Sequence, residues 1–163
     1  MLNQKHILSK LSFGVTSTEL KQVAQTGIEA YIQSQLEPQS INESSQLENY
    51  LYLLDLINRN PIELNQNAIA LREKLKNFQL SSEQQQEIQQ EIGKLNIGTI
   101  NKVADAHLLR AIYSNRQLQE VMVDFWFNHF NVYAQKDAVK FWLYDYENQI
   151  RTHALGNFYD LLL

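Results

Sequence analysis

The chain has 163 residues, a formal net charge of −4 and no cysteine, and 44% of its residues are hydrophobic. That length predicts a single domain, 1–163, with a core of its own. The acidic balance provides no basic patch for nucleic-acid binding, and the lack of cysteine excludes disulfides, thiolate zinc sites and thiol catalysis.

The N-terminal third is predicted to form consecutive helices. Only 5 glycines and 2 prolines occur in the chain, and apolar residues recur at helical rather than alternating spacing, which predicts an all-α fold. Thr16 and Glu19 fit a capping box, in which each side chain satisfies a backbone N–H at the helix start. Gly27 and Pro61 mark helix ends. The predicted helices here cover 4–12, 16–26, 28–36 and 44–59.

After Pro61 the pattern narrows to an apolar seam of the kind found in coiled coils. The seam continues on both sides of Ser81 and Ser82, which are expected to cap a helix. We therefore predict two antiparallel helices, 62–79 and 83–103, that form a projecting helical hairpin within an irregular multi-helix domain. A poorly ordered glutamine-rich loop is the alternative. The seam residues, spaced three or four apart, are Leu64, Ala68, Leu71, Leu75, Phe78, Ile88, Ile92 and Leu95.

The C-terminal part is expected to hold most of the core, because most of the aromatic residues lie there. Helices are predicted over 116–134 and 138–150, with Asp137 as the cap of the second, and a last helix is predicted to start near His153. The chain stops in the apolar stretch "FYDLLL" without a cap or a polar tail. We therefore expect the domain to be incomplete at its C-terminus.

Within 121–135, a helical wheel places two lines of residues on opposite sides. One line is polar and is expected to form a buried polar network that holds the following turn, with ligand binding as the alternative. The other line sets one histidine among aromatic side chains. Because the lines are opposed, no dyad of Asp124 with His129 is expected. The polar line is Asp124, Asn128, Asn131 and Gln135, and the other is Met122, Trp126, His129 and Tyr133.

His129 is the main candidate for catalysis. Its structural interpretation is a core histidine that hydrogen-bonds to a backbone carbonyl or a carboxylate. Its functional interpretation is a metal ligand or general base in a pocket walled by Trp126 and Tyr133. A metal site would contain His129 and His153 at most, and the metal and any cofactor are undetermined; His153 is alternatively a capping or surface residue. The candidate partners of His129 on other helices are His153, His107, Asp145 and Glu147.

Several segments carry a family resemblance. The stretches "HILSKLSFGVT" (6–16) and "GIEAYIQSQLEP" (27–38) resemble the N-terminal signature of the bacterial domain of unknown function number 1800. The stretches "LLRAIYSNRQLQEVMVDFWFNHFNVYAQKD" (108–137) and "YENQIRTHALGNFYDLLL" (146–163) resemble its central signature. The most distinctive part is the aromatic-Trp-x-Asn-His-Phe core at 125–130.

The resemblance covers the whole chain except 62–100, where family members vary. Lys10 stands where an arginine is usual. Phe127 stands where many members have a second histidine, which weakens a paired-histidine metal site. The resemblance implies a helical fold and a longer C-terminal continuation, but it implies no reaction, because the activity of the family is not established.

We expect the chain to be a helical scaffold or the interaction portion of a larger protein, with a protein partner or its own missing C-terminal region bound to it. The alternative is the N-terminal half of an enzyme, a metal-assisted hydrolase whose site the missing region completes. The sequence contains no apolar run of about 18 residues, so no membrane span is expected. No signal peptide is visible, so a cytoplasmic location is the default expectation and the compartment stays open.

Overall fold

The computed structural model describes residues 4–77 and 79–162. Helices and no strand occur within these ranges, which confirms the all-α prediction. In the same ranges, no helix has both the length and the apolar character that crossing a membrane requires. The helices are α1 Gln4–Leu11, α2 Ser17–Thr26, α3 Ile28–Leu36, α4 Ser45–Leu54, α5 Pro61–Leu75, α6 Ser82–Tyr113, α7 Gln117–Phe130, α8 Val139–His153 and α9 Phe158–Leu162, with a short 3-10 helix at Pro38–Ser40.

Local sequence sets the ends of several helices. The capping box at the start of α2 is confirmed: the Glu19 backbone N–H donates to Thr16 Oγ1 at 3.1 Å, and the Thr16 N–H donates to Glu19 Oε2 at 2.8 Å. Ser81 and Gln84 form the same box at the start of α6, which confirms Ser81 as a cap. Gly27 separates α2 from α3 with φ of +87°, a backbone conformation that glycine adopts readily and that residues with a Cβ atom disfavour.

Several predicted helices are longer than the observed ones; the helix predicted over 62–79, for example, ends at Leu75. The helix predicted over 44–59 ends at Leu54, because Asp55 adopts the left-handed conformation with φ of 51°. Ile57, placed on its apolar stripe, is 75% exposed. The helix predicted over 116–134 ends at Phe130, because Asn131 is left-handed with φ of 46°. Asparagine tolerates this conformation better than most residues, which makes it a common helix terminator.

The long helix α6 runs without interruption through residue 103, where the predicted hairpin helix ends. Helices α5 and α6 are in contact, and their arrangement as a projecting hairpin stays a prediction. Ala68 and Leu71 of the predicted seam are buried. Phe78 lies outside the described residues.

Two further predictions near the C-terminus are wrong. Asp137 does not cap α8: its φ of 43° is left-handed, and the N-cap residue Ala138 makes no side-chain capping bond. The last helix begins at Phe158, and His153 closes α8 instead.

The buried apolar residues form separate clusters. Leu8, Val23 and Tyr31 form the core of α1, α2 and α3. A second cluster lies among α4, α6 and α8, and a third lies between α7 and α8. The second is Leu56, Val103, Ala106 and Leu143, and the third is Val123, Ile150 and Ala154.

Hydrogen bonds join the N-terminal helices to the rest of the chain. Buried Gln35 donates to the Asn115 carbonyl at 2.9 Å and accepts from the Leu118 N–H at 3.1 Å. Buried Gln117 accepts from the Phe13 N–H at 3.1 Å. Gln35, in the unit formed by the N-terminal helices, and Gln117, in the unit formed by the rest of the chain, therefore form a polar seam. Each side-chain amide takes the place of water as the hydrogen-bond partner of a backbone group in the other unit.

Candidate functional site

A cluster of charged side chains lies where α6, α7 and α8 meet. Its centre is His107 of α6, which faces a carboxylate on each side. Nε2 lies 3.2 Å from Asp124 Oδ1 on α7, and Nδ1 lies 3.6 Å from Glu147 Oε1 on α8. The His107 side chain is 28% exposed, whereas the Glu147 side chain is only 1% exposed. We call His107, Glu120, Asp124, Glu147 and Arg151 the charged cluster.

Arg151 links the two buried glutamates of the cluster. Its guanidinium donates to both oxygens of Glu120, from Nε at 3.0 and 3.3 Å and from Nη2 at 3.0 Å, and it also donates from Nη2 to Glu147. Asn148 is a third partner, whose Oδ1 accepts from Nη1 at 2.8 Å. Such forked pairing fixes both distance and orientation between helices. Arg151 thereby ties α8 to α7.

Helical spacing brings these residues together. Glu120 and Asp124 are four apart on α7, and Glu147 and Arg151 are four apart on α8, so each pair lies on one face of its helix. The three helices pack against one another in pairs, which turns these faces inward. Arg110, one turn after His107 on α6, adds a longer contact of 3.9 Å to Glu147.

The electrostatics favour the ionised forms of His107, Glu147 and Arg151. Burial alone would raise the pKa of the Glu147 carboxyl, but His107 and Arg151 outweigh it and hold that pKa below its usual range. Glu147 raises the pKa of His107 above the ordinary 6.5; burial opposes this, and Asp124 adds to the rise. Burial acts to lower the pKa of Arg151, but Glu120 and Glu147 outweigh burial and hold that pKa above its ordinary value. The cluster is thus a set of paired charges.

This arrangement is suited to holding helices rather than to proton transfer. When protonated, His107 carries a proton on each ring nitrogen and a carboxylate faces each of them, so neither nitrogen has a lone pair for a substrate proton. Glu147 and Glu120 are 1% and 4% exposed, and both are bonded to Arg151. A reacting group would have to displace these contacts before reaching either carboxylate.

Of the predicted polar network, the structure brings together two members. Asn128 donates to Asp124 Oδ1 at 3.0 Å and to its carbonyl at 2.8 Å, and Asp124 also faces His107. Asn131 instead terminates α7, and Gln135 lies beyond that helix, where it accepts from the Tyr133 hydroxyl at 3.1 Å. Asn128, Asn131 and Gln135 are exposed. The early end of α7 takes Asn131 and Gln135 off the predicted line.

His129 lies on the exposed side of α7 among aromatic rings. Its ring stacks on Phe125 at a centroid distance of 5.8 Å and an interplanar angle of 16°, and it meets Trp126 edge-on at 5.7 Å. Trp126 donates from Nε1 to the Ala154 carbonyl at 3.2 Å. Tyr133 is 65% exposed and lies beyond the helix, so Trp126 and Tyr133 do not continue one line. The histidine that faces the Asp124 carboxylate is therefore His107, whereas His129 is in contact with aromatic rings.

The structure places His153 in the last turn of α8, where it is half-buried. Across residues 4–77 and 79–162, no three histidine, aspartate or glutamate side chains converge as metal ligands would. A metal site built on His129 and His153 stays a prediction.

Sequence reasoning missed the charged cluster as a unit. It considered His107 and Glu147 only as partners of His129, and it left Glu120 and Arg151 unassigned. The available signal was the recurrence of ionisable residues three or four apart on three helices, at 107 and 110, 120 and 124, and 147 and 151. Charges at such positions seldom become buried unless they are paired.

Comparison with known proteins gives one match. A family model described as "Protein of unknown function (DUF1800)" matches residues 6–163. No curated protein and no solved structure matches the chain.

Proposed function

The chain belongs to the DUF1800 family of proteins of unknown function, and we propose that it acts as a helical scaffold that supports interaction with a partner. The observation that carries this proposal is the engagement of Glu147. Its carboxylate is buried and faces both His107 of α6 and Arg151 of α8, and Arg151 continues to Glu120 of α7. The charged groups are thus committed to one another across three helices.

The energetic consequence is a strong coupling between helices. Removal of one partner from a buried ion pair costs about 3–5 kcal/mol, because the remaining charge is left without compensation. Replacement of both partners by apolar side chains of similar volume is often neutral, so the pair contributes more to the unique arrangement of the helices than to net stability. That property fits a scaffold.

The hydrolase alternative lacks a comparable observation. A general base requires an accessible lone pair, and His107 has a carboxylate at each nitrogen. His129 is accessible, but the rings around it supply no carboxylate to orient or activate it.

The sign of the stability change tests the proposal. We expect Glu147→Gln to lower the free energy of unfolding in urea by about 3 kcal/mol or more, and Arg151→Met to do the same. The double variant is expected to lose less than the sum, because the two losses share one interaction. Groups held for catalysis often destabilise a protein, so a gain in stability on substitution would instead favour an active site.

A matched control is the exposed ion pair of Glu73 with Lys76, at 2.6 Å. Glu73→Gln removes the same type of charge from a pair that is 60–70% exposed, and it should change stability by less than about 1 kcal/mol. If Glu147→Gln were as mild as Glu73→Gln, the cluster would not hold the helices and the scaffold proposal would lose its basis.

A further inference from the structure

A groove of about 1000 Å³ separates the N-terminal helices from the junction of α6 and α7. Leu108 and Ile112, one turn apart on α6, line it and are 57% and 58% exposed. Phe13 lines it from the N-terminal side and is 46% exposed. Single exposed apolar residues are ordinary, but several that converge on one concave surface indicate an interaction site.

The floor of the groove is preformed. Gln35 and Gln117, which line it, are bonded to backbone groups of the opposite unit and are 4% and 7% exposed. Ser114 is also buried there and donates to Glu43 at 2.8 Å. Because these polar groups already have partners, the groove needs no rearrangement to satisfy them when a ligand covers it.

The charge of the groove has one sign. Among the described residues that line it, Glu19 carries a carboxylate and none is lysine, arginine or histidine. Oε2 of Glu19 accepts from the Thr16 N–H at 2.8 Å and from its hydroxyl at 2.7 Å, while Oε1 accepts from the Tyr31 hydroxyl at 3.1 Å. A carboxylate has about four acceptor sites, so Oε1 retains one for a cationic donor.

We propose that this groove binds an amphipathic basic helix of a partner protein, an inference that rests on the scaffold proposal. The exposed pair Leu108 and Ile112 forms an i, i+4 ridge, against which a second helix packs its own apolar face. A lysine or arginine beside that face reaches Glu19, which orients the helix by charge complementarity. The occupant is therefore defined by leucine or isoleucine at helical spacing next to a basic residue.

Titration of synthetic peptides into the 163-residue chain, followed by calorimetry, tests this inference. The first peptide is a helix of leucine, alanine and lysine, with leucines on one face and lysines beside it. The second has glutamate in place of lysine, and the third has the first composition in an order without an apolar face. We expect the first peptide to bind at least about tenfold more tightly than the other two, since each lacks one of the two interactions.

Variants locate the binding. Ile112→Ser should weaken the first peptide about tenfold, and Glu19→Gln, which keeps an acceptor for Tyr31, should weaken it about threefold to fivefold and reduce its salt dependence. Leu53→Ser is the control, because Leu53 is 75% exposed and does not line the groove. Its affinity should equal that of the unchanged chain.

The inference would be overturned by no binding of the first peptide, by equal affinity for all three peptides, or by unchanged affinity in Ile112→Ser and Glu19→Gln. Lysine amide bound as tightly as the peptide would also overturn it, in favour of a small cation. The unfolding measurements on the Glu147 variants do not involve the groove. A failed peptide titration therefore leaves the scaffold proposal standing, and failure of one proposal can be told apart from failure of the other.

Discussion

Glu147 Oε1 on α8 lies 3.6 Å from His107 Nδ1 on α6, and the glutamate side chain is 1% exposed. A carboxylate removed from water to this degree is stable only when cations compensate it, and here Arg151 and His107 do so together. The contact therefore links the position of one helix to the protonation of a histidine on another.

The first prediction concerns pH. The folded-state pKa of His107 is raised above 6.5, so its stabilising contribution is fully present below about pH 6.5 and is lost as the pH rises through the folded value. We expect the difference in unfolding free energy between the unchanged chain and His107→Gln to shrink over an interval of pH that begins at about 6.5 and extends upward. Urea unfolding across this interval measures it, and proton NMR of His107 gives the midpoint.

The control for this prediction is His6→Gln, since His6 is exposed on α1. It should leave the pH profile of stability unchanged. A His107→Gln difference that stays constant over the interval would show that the histidine does not hold its proton for the carboxylates.

The second prediction separates Trp126 from His129. Trp126→Phe removes the bond to the Ala154 carbonyl and should cost about 1 kcal/mol. His129→Ala removes an exposed ring and should change stability by no more than about 0.5 kcal/mol. Urea unfolding of both variants under one condition measures the two values, and a larger loss for His129→Ala would make its ring stacking the dominant contact.

The third prediction concerns the end of α7. Asn131 has φ of 46°, so Asn131→Ala should destabilise the chain by about 1 kcal/mol, because alanine keeps the Cβ that crowds this conformation but loses the polar side chain that lets asparagine tolerate it. Asn131→Gly should be near neutral, since glycine adopts it without strain. Thermal unfolding compares the two, and equal midpoints for alanine and glycine would argue that Asn131 acts through its side chain.

The fourth prediction concerns the division between the N-terminal helices and the rest. Leu8 is 0% exposed, and Leu8→Ala should cost about 2–5 kcal/mol. Because a polar seam joins the units, the loss should appear mainly as faster hydrogen exchange in α1, α2 and α3. Val123→Ala is the matched variant and should affect α7 and α8 instead. Uniformly faster exchange in both variants would mean that the chain opens as one unit.

Several features followed directly from the sequence. The capping residues Thr16 and Glu19, and Ser81, act within one turn of backbone, so their role is visible without tertiary information. The opposition of Asp124 and His129 follows from helical geometry, and in the structure Asp124 faces His107 while His129 stacks on rings. Family membership follows from the segments that resemble the family signatures, and the family model covers them.

The ends of α4 and α7 were beyond sequence reasoning of this kind. Asn131 continues the predicted polar line by its spacing, and both Asp55 and Asn131 are acceptable inside a helix. Their left-handed conformations end the helices and remove Ile57, Tyr133 and Gln135 from the predicted faces. A single backbone angle thus decides which side chains share a surface.

By itself, the sequence determined the helical class, the local caps and the faces on which charges recur. Only the tertiary structure decided that the faces of His107, Asp124 and Glu147 meet one another, and that Arg151 closes the cluster on Glu120. The physical reason is the range of the interactions. Helical periodicity acts over three or four residues, whereas pairing of these charges depends on how α6, α7 and α8 pack across long stretches of chain.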